Sequence, residues 1–471
     1  EWIPNQNIFI YNNIFYNPPG TGTHYNHLRV NGPVNPDIST NIPIPSNTDN
    51  NVCFEGNIIW NQRIEPDTFI GSTNGSEPGC ISGSSCGENS ILLNNYVNTL
   101  QPQLTDPSQG DFTPLSGGNL TSIPGRLIPD FNWEDAPLSP STPSGTLANA
   151  IVMDFAGNVR IAPGIAGAFV PESISKTWNG SNTIWANPSN WLPTGIPSII
   201  DDILIPEGTD ASPEIQSFVM VKNITINHGA SLHIKPSGSL TVSGNLSNNA
   251  GNSGLILESD ASGTASLLHF SDEVEATYER YLTGNNSLTA LDYHLVAVPV
   301  ANEINLGVFS GHYVFQFNQN EQSWESMGTS ASTTIPTDVG YMVYFPEVNT
   351  TCSFSGLLQN GSYAPSLNLD ATDEFALLPN PYPCAVDWEA VSGWTRTNIR
   401  NAIWVWNPLL NQYAAYSSGV AVNGGARYVP GGQAFFVQST APTSALEMNN
   451  DVRLHNTQPF YKEFQIPGNV L

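Results

Sequence analysis

Two short segments place oxygen or nitrogen ligands close enough together to suggest a metal site. The segment "HYNH" puts His24 and His27 three residues apart, a spacing compatible with two ligands of a transition metal. No third ligand is evident, which favours surface histidines. The acidic segment "DATDEF" at residues 370–375 lacks the alternating Asp/Asn ligands and central glycine of a calcium loop. The sequence predicts no metal site and no cofactor, and leaves loosely bound calcium open.

Catalytic groups are also hard to assemble from the sequence. Glycoside hydrolysis needs two carboxyl groups that flank the scissile bond, but the repeat position shared by Tyr11, Glu55 and Leu93 holds one. Residues 1–170 contain no lysine to serve as the base of a lyase. No catalytic residue is predicted. Enzymatic activity is left undecided, and a role without turnover is favoured.

The chain has five cysteines, too few for a disulfide framework. Cys80 and Cys86 lie in the Gly- and Ser-rich segment "GCISGSSCG" and can form a disulfide bond in an oxidising compartment, although free thiols fit equally well. Cys53 takes a repeat position held elsewhere by Phe9 and Ile91. That position predicts a small buried hydrophobic residue and not a ligand.

Three tryptophans, Trp178, Trp185 and Trp191, are concentrated in residues 176–206. Their aromatic faces could stack on sugar rings and form a glycan contact. Tryptophan also commonly seals the end of a β module, with its apolar ring buried and its N–H bonded. The second interpretation is favoured, and the glycan contact is kept as the alternative.

A repeat at the start of the chain must position the first group of residues. The segment "NIFIYNNIFYN" recurs as "NVCFEGNIIWN" and, less strictly, as "NSILLNNYVNT". The alignment puts Asn13, Asn57 and Asn95 in one column and Ile14 and Ile58 in another. A β-solenoid stacks equivalent residues of successive coils about 4.8 Å apart. We therefore expect apolar columns inside and the asparagine column at a tight turn.

Composition narrows the class of protein. Charged residues make up 11% of the chain, against about 25% in an average soluble domain, which is typical of turn-rich β structure. The formal net charge of -27 repels phosphate groups and excludes a nucleic-acid partner. No apolar run approaches the ~20 residues of a membrane span, so we expect no membrane insertion. Because the chain begins at Glu1 with neither Met nor a signal peptide, we expect a processed protein or a fragment.

The end of the first third of the chain resembles a known family. After the repeats comes a Pro-rich run, and then "IVMDFAGNVRIAPGIAGAFV". This order resembles the C-terminal end of right-handed parallel β-helix proteins of the pectate-lyase-like superfamily. The resemblance implies that residues 1–170 form the last coils of a right-handed parallel β-helix, with long loops and a cap.

Shorter repeats follow. "NITI", "SLHI" and "SLTV" begin at residues 223, 231 and 239, an eight-residue step that predicts a second solenoid or a meander. Further on, residues 293–355 and 375–440 repeat one plan, in which a buried strand, an aromatic hairpin and a Gly-preceded strand follow one another. This duplication predicts two similar β-sandwich units.

The strings "LLPNPYPCAVDW", "NAIWVWN" and "YVPGGQAFFVQ" resemble the C-terminal regions of surface proteins that Bacteroidota export by type IX secretion. The resemblance implies an extracellular, cell-surface location. The predicted fold is all-β, with a parallel β-helix, a short-repeat β module and two β-sandwich units. The predicted domains are residues 1–170, 171–272, 273–365 and 366–471.

The function expected from this architecture is that of an extracellular structural or adhesive surface protein. The uncovered coil near Glu1 and the strand-like residues 459–471 further suggest head-to-tail assembly into a filament. The expected partners are other copies of the chain or cell-surface glycans. The alternative is a β-helix protein that binds or degrades polysaccharide.

Overall fold

The computed structural model describes a defined set of residues in the 471-residue chain: 5–16, 49–60, 93–115, 118–126, 153–156, 160, 165–169, 173–284, 293–309, 312–345, 349–408, 410–458 and 460. It is 45% strand and 6% helix, so the predicted all-β class is confirmed. In this part of the chain no helix is both long and apolar enough to cross a membrane. The chain divides into two compact units, Glu1–Ile174 with Ser198–Ile200, and Ser175–Pro197 with Asp201–Leu471.

The described part of the first unit contains short strands and two 3₁₀ helices, Pro107–Gln109 and Asn119–Ser122. The strands are β1 Asn5–Tyr11, β2 Ile14–Tyr16, β3 Asp49–Glu55, β4 Ile58–Trp60, β5 Tyr96–Val97, β6 Leu104–Asp106 and β7 Asp111–Pro114. Strand β1 pairs with β3 in parallel, and β2, β4 and β5 form a parallel sheet. Ile14 pairs with Ile58, and Ile58 with Tyr96, so the predicted column is confirmed.

The second unit begins with a β-solenoid of about five turns over residues 175–278. Its strands are β8 Ser175–Trp178, β9 Trp191–Leu192, β10 Asp202–Ile205, β11 Glu214–Ile215, β12 Phe218–Val221, β13 Asn223–Ile226, β14 Leu232–Ile234, β15 Ser239–Val242, β16 Leu246–Asn248, β17 Leu255–Leu257, β18 Ser259–Asp260, β19 Gly263–Thr264, β20 Ser266–Leu268 and β21 Glu275–Leu282. Two 3₁₀ helices, Pro188–Asn190 and Gly251–Ser253, lie between them. Of the two predicted forms, solenoid and meander, the solenoid is correct.

Successive strands of the solenoid pass between three parallel sheets. The first contains β8, β10, β13 and β16, the second contains β11, β14, β17 and β21, and the third contains β12, β15 and β20. Pairing joins Ile224 to Leu246 and Leu232 to Leu255. One coil is therefore nearly three times as long as the eight-residue step. That step is the distance between neighbouring faces of one coil, and its interpretation as the repeat itself was wrong.

Along the solenoid strands apolar residues alternate with polar ones, and the apolar side chains fill the interior. Leu232, Ile234, Leu240, Leu255 and Leu257 are each 0% exposed, while the residues between them face outward. Burial of apolar surface contributes ~25 cal/mol per Å² to folding, so these buried columns are the main source of stability of the solenoid. The last strand of the second sheet, β21, is covered by an antiparallel strand at Thr350–Leu357, which removes an open sheet edge.

The remaining strands of the second unit are antiparallel. They are β22 Tyr293–Val296, β23 Ile304–Asn305, β24 Tyr313–Asn318, β25 Ser323–Ser326, β26 Thr334–Ile335, β27 Tyr341–Tyr344, β28 Thr350–Leu357, β29 Phe375–Pro379, β30 Ala385–Asp387, β31 Trp394–Thr397, β32 Ala402–Asn407, β33 Gln412–Ser417, β34 Val420–Val422, β35 Tyr428–Val429, β36 Ala434–Gln438, β37 Ala445–Met448 and β38 Arg453–Leu454. Two 3₁₀ helices, Leu306–Phe309 and Asn450–Val452, accompany them.

Two larger sheets in this region have the same strand order. One runs β22-β27-β24-β25 and the other β29-β36-β32-β33-β34, so each places the first strand beside the closing strand and the hairpin beyond it. The smaller sheets are β23-β26, β35-β30-β38 and β31-β37. The large sheets pack through one apolar cluster: Leu295, Ala297, Leu377, Ala434 and Phe436. The shared order follows the duplicated sequence plan.

A buried arginine joins the end of the solenoid to the loop that precedes β36. The Arg280 guanidinium donates to the carbonyl of Gly431, to the Tyr278 hydroxyl at 2.9 Å and to Thr264 Oγ1 at 2.9 Å. It also lies 4.6 Å from the centre of the Phe460 ring. Burial lowers the pKa of Arg280. These neutral acceptors and the aromatic ring stabilise the cation in the interior.

Candidate functional site

The asparagine column of the first unit is a hydrogen-bonded ladder. The Oδ1 atom of Asn57 accepts from the main-chain N–H and Nδ2 of Asn13 at 2.9 and 3.0 Å. The Oδ1 atom of Asn95 accepts from the same two groups of Asn57, both at 2.9 Å. The left-handed turn lies one residue earlier, at Asn12 (φ 58°) and Gly56 (φ 67°). The ladder therefore fixes the register of the coils and leaves little amide capacity for a ligand.

The three tryptophans are not a glycan platform, because their rings are buried. Trp178, Trp185 and Trp191 are 1%, 3% and 0% exposed. The Trp191 ring lies 5.0 Å from Trp178 and 4.7 Å from Trp185, both edge to face. The indole N–H of Trp178 donates to the Ala211 carbonyl at 2.7 Å. They seal the end of the solenoid, as the favoured interpretation predicted, and the alternative of a sugar contact is wrong.

The remaining ligand candidates are located as follows. His24, His27, Cys80 and Cys86 lie outside the described residues. In the acidic turn, Glu374 Oε2 accepts from the main-chain N–H groups of residues 370 and 371 at 2.8 and 2.9 Å. No group of three or more His, Cys, Asp or Glu suited to a metal occurs in the described part of the chain. The turn uses its carboxylate to close its own backbone.

The described cysteines are apolar packing groups. Cys53, Cys352 and Cys384 are buried. Burial raises the pKa of Cys352 and of Cys384 to about 12. Both therefore stay protonated near neutral pH, and a protonated thiol is a poor nucleophile and metal ligand.

A row of three tyrosines crosses the first large sheet. Tyr293 on β22 pairs with Tyr344 on β27, which pairs with Tyr313 on β24. The ring centres are 4.7 Å apart for Tyr293 and Tyr344, and 6.5 Å apart for Tyr344 and Tyr313. Tyr313 is 55% exposed, and the other two are partly exposed. We call these residues the tyrosine row.

The tyrosine row is held by the sheet beneath it. On the same face the next cross-strand row is Leu295, Met342 and Phe315, and Leu295 is buried against the second large sheet. The opposite face contributes Val343, 0% exposed, to the main core. The backbone under the tyrosines is therefore fixed by packing on both faces, and the rings project from a rigid support.

A second aromatic group lies on the other large sheet. Trp406 on β32 and Tyr413 on β33 are paired residues with ring centres 5.2 Å apart. Tyr413 is 40% exposed, and the edge strand β34 exposes Val420 by 63% and Val422 by 52%. Together with the tyrosine row, this group gives the protein apolar and hydroxyl-bearing surface on regular sheets. Such surface is suited to contact with another molecule.

The tyrosine row was not predicted from the sequence. The signal in the sequence is a tyrosine at one end of each strand: the first residue of "YHLV" and of "YVFQFN", and the last residue of "YMVY". Alternation alone identifies a shared face, but the cross-strand register that brings Tyr293 beside Tyr344 depends on loops whose lengths do not specify it. The tryptophan rings could stack on sugars by their chemistry, but residue type does not distinguish a buried ring from an exposed one.

Comparison with known proteins gives one assignment. No curated protein and no solved structure matches the chain. A family model described as a domain of unknown function, DUF8693, matches residues 177–469. This span is well over half of the chain and includes the solenoid and both large sheets. The chain therefore belongs to the DUF8693 family.

Proposed function

We propose that this protein is an extracellular structural or adhesive surface protein whose primary role is contact. The observation that carries the proposal is the tyrosine row, in which Tyr313 is 55% exposed on a sheet packed on both faces. A rigid aromatic surface loses little conformational entropy on binding, which favours affinity for a partner. The solenoid then acts as a spacer that presents the sheets.

The resemblance of the C-terminal strings to type IX secreted proteins of Bacteroidota supports a cell-surface location. It also supports the finer architecture that we propose, in which the first unit is the end of a right-handed parallel β-helix and each large sheet belongs to a β-sandwich. The same strand order in the two large sheets is consistent with this architecture. Under this proposal the modules serve as repeated, stable supports.

The favoured partner is a neutral cell-surface glycan. Tyrosine presents both a ring face that packs on the apolar face of a sugar and a hydroxyl that bonds its edges. The net charge of -27 disfavours an acidic polysaccharide by repulsion. The alternative expected from the sequence was a protein that binds or degrades polysaccharide. Binding of a neutral polysaccharide is part of the adhesive role proposed here. Cleavage of the polysaccharide chain is not part of the proposal.

The test is retention of the labelled protein on arrayed neutral and acidic polysaccharides, followed by chromatography of the supernatant. Retention on neutral polysaccharides with no release of shorter chains supports contact without turnover. Release of shortened chains by freshly purified protein would overturn the proposal, as would the absence of retention on every neutral polysaccharide.

Assembly of the chain with itself is the second candidate partner interaction. Strand β1 pairs with β3, and within the described residues no second strand pairs with β1. A sheet edge that no strand covers can accept a strand from another copy. Sedimentation over a hundredfold range of concentration tests this. Growth of species larger than the monomer supports a filament, and a constant monomer contradicts it.

A further inference from the structure

The outer face of the solenoid carries three polar side chains in an ordered series. Ser231 immediately precedes β14 and His233 lies two residues further on, so both face outward while Leu232 and Ile234 fill the interior. Glu258 follows β17, the strand of the next coil. Parallel pairing of Ile234 with Leu257 brings Glu258 alongside this face.

The contacts run from hydroxyl to imidazole to carboxylate. Ser231 Oγ lies 2.7 Å from Ser212 Oγ and 3.4 Å from His233 Nε2, and His233 Nδ1 lies 2.9 Å from Glu258 Oε1. A carboxylate at Nδ1 accepts the Nδ1–H bond, which directs the lone pair of Nε2 toward the serine hydroxyl. A distance of 3.4 Å is long for a hydrogen bond, but the contact of a nucleophile with its base is often loose before substrate binds.

Neighbouring groups fix this arrangement and keep it accessible. Glu258 Oε2 pairs with Lys235 Nζ at 2.5 Å, which holds the carboxyl group in place. The side chains of His233 and Glu258 are 29% and 21% exposed, so solvent and substrate reach them from the open face. The main-chain N–H of Ser231 makes no hydrogen bond to any described residue. A free N–H on the nucleophile itself is one of the donors that stabilise an oxyanion in serine hydrolases.

We propose that Ser231, His233 and Glu258 form a nucleophile, base and orienting carboxylate that hydrolyse short-chain carboxylic esters. This activity is additional to the contact function and does not depend on it. Because the site lies on an open face, its substrates are small acyl esters, free or carried on a larger polymer.

In the first step Ser231 Oγ attacks the ester carbonyl carbon while His233 Nε2 accepts the hydroxyl proton. The Ser231 N–H donates to the oxyanion of the resulting tetrahedral adduct. The ester C–O bond then breaks, and His233 returns the proton to the departing alcohol. In the second step water adds to the acyl carbon as His233 takes its proton. Ser231 leaves with that proton, and the carboxylic acid is released.

The same contacts could merely join adjacent coils, so the test must report reactivity. The whole chain is treated with a fluorophosphonate probe, the modified peptide is identified by mass spectrometry, and hydrolysis of p-nitrophenyl acetate is followed in parallel. We expect phosphonylation at Ser231, and loss of labelling together with a fall in hydrolysis of about 100-fold or more in Ser231→Ala. His233→Asn and Glu258→Gln should slow labelling at an unchanged Ser231.

Ser247→Ala is the matched control, because Ser247 on β16 bonds to Asn249 at 3.3 Å and forms no hydrogen bond with a histidine in the described part of the chain. It should label and hydrolyse as the unmodified protein does. Thermal unfolding of each variant establishes that the fold is retained. Absence of label at Ser231 in the folded, unmodified protein would overturn the proposal. Equal labelling rates in folded His233→Asn and the unmodified protein would overturn it as well.

Discussion

Acid should destabilise the second unit through a histidine that is buried in its neutral form. His269 is 0% exposed, and its Nδ1 contacts the Ser271 carbonyl at 3.0 Å. Burial and, to a smaller extent, the nearby Arg453 guanidinium lower the pKa of this imidazole from 6.5 to about 4. As the pH falls, His269 is therefore protonated in the unfolded chain before it is protonated in the folded chain. Stability is complete above the unfolded pKa and is lost between pH 6.5 and about 4.

The magnitude follows from the size of the shift. A change from 6.5 to about 4 corresponds to about 3 kcal/mol of unfolding free energy at ~1.36 kcal/mol per unit. Near the middle of this interval the slope is about 1 kcal/mol per pH unit, because the unfolded histidine is almost fully protonated and the folded one is not. Burial also lowers the pKa of His455 to about 4, so this residue adds a slope of the same sign.

The assay is urea unfolding of the full chain at several pH values, followed by tryptophan fluorescence. The comparison is His269→Asn, whose amide can still donate to the Ser271 carbonyl but does not titrate. We expect a lower free energy at neutral pH, from the lost packing, and a pH slope shallower by about 1 kcal/mol per unit between pH 6 and 4.5. Parallel pH dependences for the two proteins would refute the assignment of this proton to His269.

Three further predictions concern stability. Asn57→Leu breaks the ladder at its middle member and should lower the unfolding free energy of the first unit by about 1–3 kcal/mol, because it leaves buried amide and carbonyl groups unpaired. Hydrogen exchange of the β4 amides would report the loss, and unchanged protection of these amides would contradict the prediction. Leu240→Ala opens a cavity in the solenoid core and should cost about 2–5 kcal/mol in urea unfolding, whereas a loss below ~1 kcal/mol would indicate a loosely packed interior. Trp191→Ala should cost about 3–5 kcal/mol yet leave polysaccharide retention by the folded protein unchanged; a selective loss of retention would restore the glycan contact.

The sequence predicts well what depends on local periodicity. The column that joins Ile14, Ile58 and Tyr96 follows from aligned repeats, because equal residues in successive coils must stack to bury their apolar faces. The eight-residue step near residue 231 exists, but it separates neighbouring faces of one coil and is not the length of a coil. Three faces of one coil carry similar apolar alternation, so sequence similarity between faces imitates a repeat between coils.

Contacts between coils and between sheets are harder to predict. Glu258 reaches His233 because one coil has a particular length, and that length is set by turns whose residues carry no repeated pattern. Tyr313 and Tyr344 are brought together by an antiparallel register that a one-residue slip would abolish. The burial of Arg280 is also hard to predict from the sequence, since one of its neutral acceptors is the carbonyl of Gly431, 151 residues away.

The most direct test of the contact function is the affinity of Tyr313→Ala for the neutral polysaccharide that retains the unmodified protein best. Tyr96→Ala is the matched control, because Tyr96 is an exposed tyrosine of the first unit, 40% accessible against 55% for Tyr313. Truncation of a central aromatic contact costs about 2 kcal/mol, so binding of Tyr313→Ala should weaken by roughly 30-fold while Tyr96→Ala binds normally. Equal affinities of Tyr313→Ala and the unmodified protein would contradict contact through the tyrosine row.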